Sequence, residues 1–413
     1  MDRLKLLAVD GLAWKLIDRF RPQGFLPNFS RMIRTGVSGV LSCRPVRIST
    51  GSASRGGPVP YQGLLSPVIW TSIASGKSPA HHGIGDFVDA TGRLHDANDV
   101  RCPRIWDHLA DGGISSGVLG WMLTHPAPRV NGFLVSDRFA APGGSYPPDL
   151  PAVRRPLPGF ETLRGELAAL TPFFPRPDYS EAFDEDSAEF RRHQLVTKRL
   201  FPVFRHDREL AGMARELLGA SGPRFGALYL RGIDNACHAF WGFMDPGGWS
   251  QISDEDADLF GGVIPAYYRW VDGVLGEWLD SAGPDDRVLV VSDHGFRAGD
   301  PSKYRTRGDL NNRHLTGDHD DDGVILAAGA GIAPGRRVEE RNVLDVAPTI
   351  LHAFGLSVPE DMEGEVIPEI AGPGPIRFRP AAASTTPGAI PGDAYAPAEH
   401  AALIADLKDL GYL

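Results

Sequence analysis

Arg287-Val288-Leu289-Val290-Val291-Ser292-Asp293-His294-Gly295 is the stretch on which the fold turns. Its apolar core is short, β-branched and without alternation, the pattern of a strand buried on both faces. It ends in an acid, an imidazole and a glycine. Gly295 allows a tight turn, so Asp293 and His294 can leave the strand end together and offer both side chains to a single metal. A solvated turn with a capping Asp is the plainer alternative.

Four more apolar runs read as buried strands: Leu4–Val9, Ser116–Trp121, Phe225–Leu230 and Gly323–Ala328. Helical patterns lie between them, at Leu26–Thr35, Pro103–Ala110 and Val343–Phe354. Alternation of this kind predicts an α/β protein whose mostly parallel sheet carries helices on both faces. Ligands of such sheets bind beyond the carboxyl ends of the strands. Asp10, before Gly11, closes the first run, with a turn-forming Asp-Gly as the bland reading. Asp234 lies four residues past Leu230. Asp234 and His238 share one face at i, i+4 spacing and could share a metal, an N-cap Asp and a satisfied histidine being the alternative. His319, in Gly317-Asp318-His319, precedes the last run.

Ser66-Pro67-Val68-Ile69-Trp70-Thr71-Ser72-Ile73-Ala74-Ser75-Gly76 reads as a helix with Ser66 as N-cap and Gly76 as C-cap. A hydroxyl there faces unpaired N–H groups and the positive end of the helix dipole, a setting for a nucleophile as well as for a plain cap. Thr71, one turn in, points away from the helix mouth. Two lots of carboxylate-plus-imidazole ligands with a hydroxyl between them suit phosphoryl transfer. Other motifs are set aside. Gly329-Ala330-Gly331 and its sequel contain Pro334 and read as a turn, and Asp318, Asp320, Asp321 and Asp322 read as a solvated acidic turn. His81-His82-Gly83 reads as the end of the Ser66 helix, with His82 structural. Lys303, Arg305, Arg307 and Arg313 read as solvated charges, with phosphate or carboxylate binding by one of them as the alternative.

The 413 residues are 42% hydrophobic and 23% charged, ordinary for a full globular core. Net charge is 42 − 52 = −10, so no nucleic-acid groove is indicated, although bound metal would still admit an anionic substrate. Cys43, Cys102 and Cys237 are widely spaced and odd in number, which suits a reducing compartment. No secretory signal or membrane span is evident. The chain reads as soluble and cytoplasmic, its oligomeric state open. Residues 1–370 read as the catalytic domain, with a helical cap insertion at 142–222. Residues 371–396 read as a Pro/Ala-rich linker, and 397–413 as a docking helix with Leu403, Ile404, Leu407 and Leu410 on one face. Residues 46–63, rich in Gly, Ser and Pro, read as a loop at the mouth of the site.

With these residues assembled, the chain resembles the alkaline phosphatase superfamily, specifically its type I phosphodiesterase/nucleotide pyrophosphatase branch. The segments that carry the likeness are Ala8–Gly11, Ser66–Gly76, His82–Ile84, Asp234–His238, Ser292–Gly295, Gly317–His319 and Asp345–Leu351 followed by Gly355-Leu356. The resemblance implies an alkaline phosphatase-like fold with two divalent ions, one held by Asp10, Asp293 and His294 and one by Asp234, His238 and His319. Ser66 would sit between them, attack phosphorus and form a phosphoseryl intermediate. Zinc is the family's usual metal and agrees with three imidazoles; manganese or magnesium are the alternatives. The substrate would be a small phosphate ester, of phosphodiester or nucleotide pyrophosphate type. Ser stands where nucleotide pyrophosphatases usually have Thr, and Phe87 aligns with an Asn that helps hold their phosphate. Alternatives on the same site are a phosphomonoesterase or a phosphonate hydrolase, and outside enzymes a metal-stabilised binding protein.

Overall fold

All six residues of Leu4–Val9 are buried, and their side chains alternate between two cores: Leu7 and Val9 face one, Leu4, Leu6 and Ala8 the other. That two-sided burial puts this strand at the centre of a sheet. The computed structural model describes residues 1–46, 48–50, 61–175, 187–219, 222–303, 315–381, 395 and 397–409. In chain order the main strands are β1 (Leu4–Val9), β2 (Val37–Ser42), β3 (Ser116–Leu119), β4 (Gly132–Val135), β5 (Ser145–Tyr146), β6 (Phe225–Leu230), β7 (Arg287–Val291), β8 (Asp322–Gly329) and β9 (Arg336–Arg337). They order as β9-β2-β8-β7-β1-β6-β3-β4-β5, and Arg341–Asn342 also pairs with β2. From β7 through β4 every pairing is parallel. Only β8, against both β7 and β2, and the edge strand β5 run antiparallel.

Helices α1 (Trp14–Phe20), α2 (Pro27–Thr35), α5 (Phe201–Leu217), α6 (Gly232–Met244) and α7 (Val263–Asp280) cover one face. Helices α3 (Ser66–Ser75), α4 (Ile105–Asp111) and α8 (Val346–Ala353) cover the other. The result is the α/β sheet flanked on both faces that the alternation predicted. β1 and β6 occupy the same bounds as the apolar runs. The run Gly323–Ala328 pairs antiparallel, and its second neighbour, β2, is not apparent in the sequence. Val37-Ser38-Gly39-Val40-Leu41-Ser42 breaks its apolar character with Gly39, where a Cβ would stand 2.4 Å from Val338 Cγ2.

Residues 187–217 form one helical rod, begun by Ser187, whose side chain accepts from Phe190 N–H at 3.1 Å. Its wide π turn, Leu195–Leu200, lies just before Pro202, which has no N–H to continue the α ladder. The α5 portion packs on β3 and β6. His81 and His82 end a separate short helix, Pro79–His82, because α3 already stops at Gly76 with φ +66°. At the C-terminus, α9 (Pro397–Asp409) lays Leu403, Ile404 and Leu407 on a cluster with Leu65, Val68, Leu94 and Leu123. Leu410, Arg305, Arg307, Arg313 and most of the segments 46–63 and 371–396 lie outside the described residues. No described helix is long and apolar enough to cross a membrane.

Candidate metal centre and nucleophile

Strand ends deliver the charged groups to one rim of the sheet. Asp10 follows β1, Asp293 and His294 follow β7, and Asp234 and His238 sit on α6, which follows β6. His319 comes from a short strand, Gly317–Asp320, paired antiparallel with Gly295–Ala298 so that His319 stands opposite Phe296. Asp318 and Asp320 point out to solvent on either side of it, as strand alternation requires. The expected acidic turn is therefore a strand edge, and that strand is what aims His319 inward.

All six groups converge. His294 Nε2 lies 3.3 Å from Asp10 Oδ1, 3.4 Å from Asp293 Oδ2 and 3.8 Å from Asp234 Oδ1. His238 and His319 approach Asp234 Oδ1 at 3.3 and 3.2 Å. Asp10, Asp293 and His294 can share one ion, as the resemblance implied, and Asp234, His294 and His319 a second. His294 thus belongs to both groupings, and His238 adjoins the second, its Nε2 2.8 Å from His319 Nε2.

Backbone carbonyls fix the imidazole tautomers. Nδ1 of His294 meets Gly295 O at 3.0 Å, Nδ1 of His238 meets Gly317 O at 3.1 Å, and Nδ1 of His319 meets Leu64 O at 3.1 Å. A carbonyl can only accept, so each Nδ1 donates a proton and Nε2 is the nitrogen of each ring that is left to face a cation. Asp10 Oδ1, Asp293 Oδ2 and His294 Nε2 are buried without a hydrogen-bond partner among the described residues. Buried polar atoms are almost always paired, so three orphans aimed at one another make a seat for a cation.

The electrostatics carry the same demand. Burial and the neighbouring Asp10 push the Asp293 carboxyl well above the usual range. Burial also works against charge on His294, yet Asp293, Asp10 and Asp234 outweigh it and raise its pKa to about 10. Burial, with His294 and His238 beside it, lowers His319 to about 4. Three carboxylates in this closed space call for positive charge, which divalent ions can supply.

Ser66 is the first residue of α3, buried, and not its cap. Leu65, in extended conformation, is the N-cap and accepts from the N–H groups of Val68 and Ile69. Pro67 has no N–H, so the donors expected around the hydroxyl reduce to the N–H of Ser66 itself. The segment is anchored on both sides of Ser66: Leu64 O holds His319, and Trp70 Nε1 donates to Asp10 Oδ2 at 3.1 Å. Thr71 turns its hydroxyl back to Pro67 O at 2.6 Å, and His82 bonds Ser72 and Ile84, so both are structural.

Several supporting residues escaped the sequence reading. Tyr229 donates to Asp10 Oδ2 at 2.5 Å, which with Trp70 leaves Oδ1 as the free ligand atom. Asp207, fully buried on α5, accepts from Arg231 N–H, Gly232 N–H and Tyr267 O–H at 3.2, 2.8 and 3.0 Å. It thereby caps α6 from outside and positions Asp234 and His238. Spacing to a site residue gives no signal for either. A cavity of about 530 Å³ is lined by Pro67, which follows Ser66, by Tyr229, which bonds Asp10, and by Phe87 and Arg231.

No curated protein sequence matches the chain. Among solved structures it is similar to the alkaline phosphatase PafA, with a TM-score of 0.53 and 14% identity over 90% of this chain and 99% of that one. It is also similar to murine ectonucleotide pyrophosphatase/phosphodiesterase 5 (TM-score 0.47, 13% identity, 86% and 95% covered). A phosphonate monoester hydrolase from Silicibacter pomeroyi is a third (TM-score 0.44, 15% identity, 92% and 78% covered). The likeness to PafA identifies the fold as alkaline phosphatase-like. Residues 4–372 match the family described as type I phosphodiesterase / nucleotide pyrophosphatase. The chain belongs to that family, and it is a phosphoric ester hydrolase.

Proposed function

We propose that the chain cleaves phosphate esters of the phosphodiester or nucleotide pyrophosphate type, with two divalent ions, zinc foremost, and Ser66 as nucleophile. One observation carries this reading: three imidazoles, each held through Nδ1 by a backbone carbonyl, gather with Asp10, Asp234 and Asp293 at one rim of the sheet, and Leu64 and Trp70, on either side of Ser66, bond His319 and Asp10. Asp10, Asp293 and His294 would hold one ion, and Asp234, His238 and His319 the other. Bound there, the ions would supply the positive charge that favours a serine alkoxide and the negative charge building on phosphoryl oxygens.

The chain's own groups do the rest. Trp70 and Tyr229 hold Asp10 so that one oxygen stays available, and Asp207 sets the angle of α6. The Ser66 oxygen attacks phosphorus, and the bond to the departing ester oxygen breaks, that oxygen leaving with the electron pair and taking up a proton. Water then cleaves the phosphoseryl bond, which restores the hydroxyl and releases the phosphate product. Ser66 N–H, at the first position of α3, would donate to a phosphoryl oxygen in both steps. Three buried, widely spaced cysteines support the companion proposal of a reducing, cytoplasmic compartment.

Ser66→Ala is the direct test. Turnover of bis(p-nitrophenyl) phosphate is expected to fall by several orders of magnitude while metal content, measured by plasma mass spectrometry, stays at the wild-type value. Activity that survives would remove Ser66 from the role. Running p-nitrophenyl phosphate and a p-nitrophenyl phenylphosphonate beside it separates diester cleavage from the monoester and phosphonate alternatives.

A further inference from the structure

The cavity beside the metal centre is far larger than a phosphoryl group, and its charge runs against that of the protein. About 530 Å³ is the size of a site for a small organic molecule. Arg138, Arg205 and Arg231 are among its lining residues, against one acidic residue, Asp137. Asp137 is already engaged by the N–H groups of Leu123 and Thr124 at 3.2 and 3.3 Å. In a chain of net charge −10, this concentration of cations marks a binding surface for an anion.

Two of the three arginines carry no counter-ion. Arg205 lies with its guanidinium 5.1 Å from the Phe201 ring centroid, and among the described residues it has neither hydrogen bond nor ion pair. Arg231 binds Asp207 through its backbone N–H, and among the described residues its Nε is buried with no partner. Both arginines line the same cavity. A half-buried guanidinium without an acceptor is costly, and a ligand carboxylate or phosphate would satisfy it. The lining is otherwise largely apolar: Phe87 and Met122 pack in one cluster with Leu403 and Leu407 of the C-terminal helix, and Phe139 joins them from the main core. The cavity starts at Pro67, next to Ser66, and at Tyr229, whose hydroxyl holds Asp10.

We infer that this cavity receives the second arm of the phosphodiester, and that the arm joins an apolar, ring-sized body to a negative charge of its own, held by Arg205 and Arg231. The assignment rests on the phosphate ester reading of the neighbouring centre, which supplies the scissile phosphorus. Phe87 fits it: at the position where related enzymes carry a phosphate-holding amide, this chain lends an aromatic wall to the arm.

The test uses three diesters with one chromophoric leaving group, p-nitrophenolate, and a retained arm that is methyl, phenyl or 3-carboxyphenyl. The full-length, zinc-loaded enzyme is expected to rank kcat/KM as carboxyphenyl over phenyl over methyl. Arg231→Met and, separately, Arg205→Met are each expected to lower the carboxyphenyl-to-phenyl ratio by about tenfold or more, the loss of one charge-assisted contact. Arg231→Lys is expected to restore part of it. A second readout is calorimetric binding of 3-carboxyphenyl phosphate and phenyl phosphate to the zinc-loaded Ser66→Ala protein, where the same preference and the same losses are expected. A ratio near one, or one that neither Met variant changes, overturns the inference while leaving the hydrolase intact. Charge-dependent binding that Arg205 and Arg231 control, with no turnover of any ester, supports the inference and overturns the catalytic reading.

Discussion

Tyr229→Phe isolates the part of the centre that holds Asp10. The phenol donates to Asp10 Oδ2 at 2.5 Å and Trp70 Nε1 donates to the same oxygen at 3.1 Å. Burial and the adjacent Asp10 push the Tyr229 phenol well above 10, so it remains a donor across the working range. A hydrogen bond to a carboxylate is worth roughly 1.5–3 kcal/mol, and loss of an outer partner of a metal ligand lowers affinity about 10–100-fold. Trp70 stays in place, so the oxygen keeps one donor and the lower end applies, about tenfold for the ion held by Asp10, Asp293 and His294. The ring itself is retained, with its edge contact to Trp70 at 5.0 Å and its tilted contact to Trp121 at 6.5 Å. Stability of the metal-free protein is therefore expected to drop by only about 1 kcal/mol. Zinc titration against a chelating dye resolves two dissociation constants, and one of them is expected to rise. Equal weakening of both, or no change in either, would refute the idea that Tyr229 acts through Asp10.

Gly11→Ala tests the close packing behind the centre. Gly11 sits at φ +70°, and a Cβ there would stand 2.7 Å from the Phe296 ring and 3.0 Å from Asp234 Cα. Phe296 touches the rings of His238, His294 and His319, so both stability, by roughly 2–4 kcal/mol, and ester turnover are expected to fall; an unchanged melting temperature contradicts this. His82 predicts acid sensitivity remote from the metal ligands. Its Nδ1 accepts from Ile84 N–H, its Nε2 meets Ser72 Oγ at 3.0 Å, and burial foremost lowers its pKa to about 3. The unfolded chain takes up this proton below about 6.5 and the folded chain does not, so His82 costs nothing above that pH and removes up to about 1.4 kcal/mol of stability per pH unit from 6.5 down to 3. Urea unfolding of His82→Gln at several pH values is expected to show a slope shallower by that amount, and parallel profiles would count against it.

Leu4–Val9 and Phe225–Leu230 were legible to the residue because strands buried on both faces need continuous apolar side chains, which no other element of that length requires. Asp10, Asp234, His238, Asp293 and His294 were legible for a related reason: their types are unusual directly after such runs. His319 was legible as a residue, but its presentation was not. Only the pairing of Gly317–Asp320 with Gly295–Ala298 turns it inward between two solvated acids. Strand β2 was hidden because its small and polar residues are selected by close contacts, as at Gly39 against Val338, rather than by an apolar pattern.

What the sequence alone determined is the layered α/β sheet and the acid and imidazole residues that gather at one rim of it, since strand periodicity and strand-end chemistry are local properties of the chain. Tertiary structure alone decided which nitrogen of each imidazole faces the centre, which oxygen of Asp10 stays available, and which arginines share a cavity. Those outcomes depend on partners far away in the chain: Leu64 O for His319, Tyr229 for Asp10, Asp207 for the helix that carries Asp234. A hydrogen bond between distant segments leaves no periodic trace in either one, so it becomes visible only when the folded backbone brings them together.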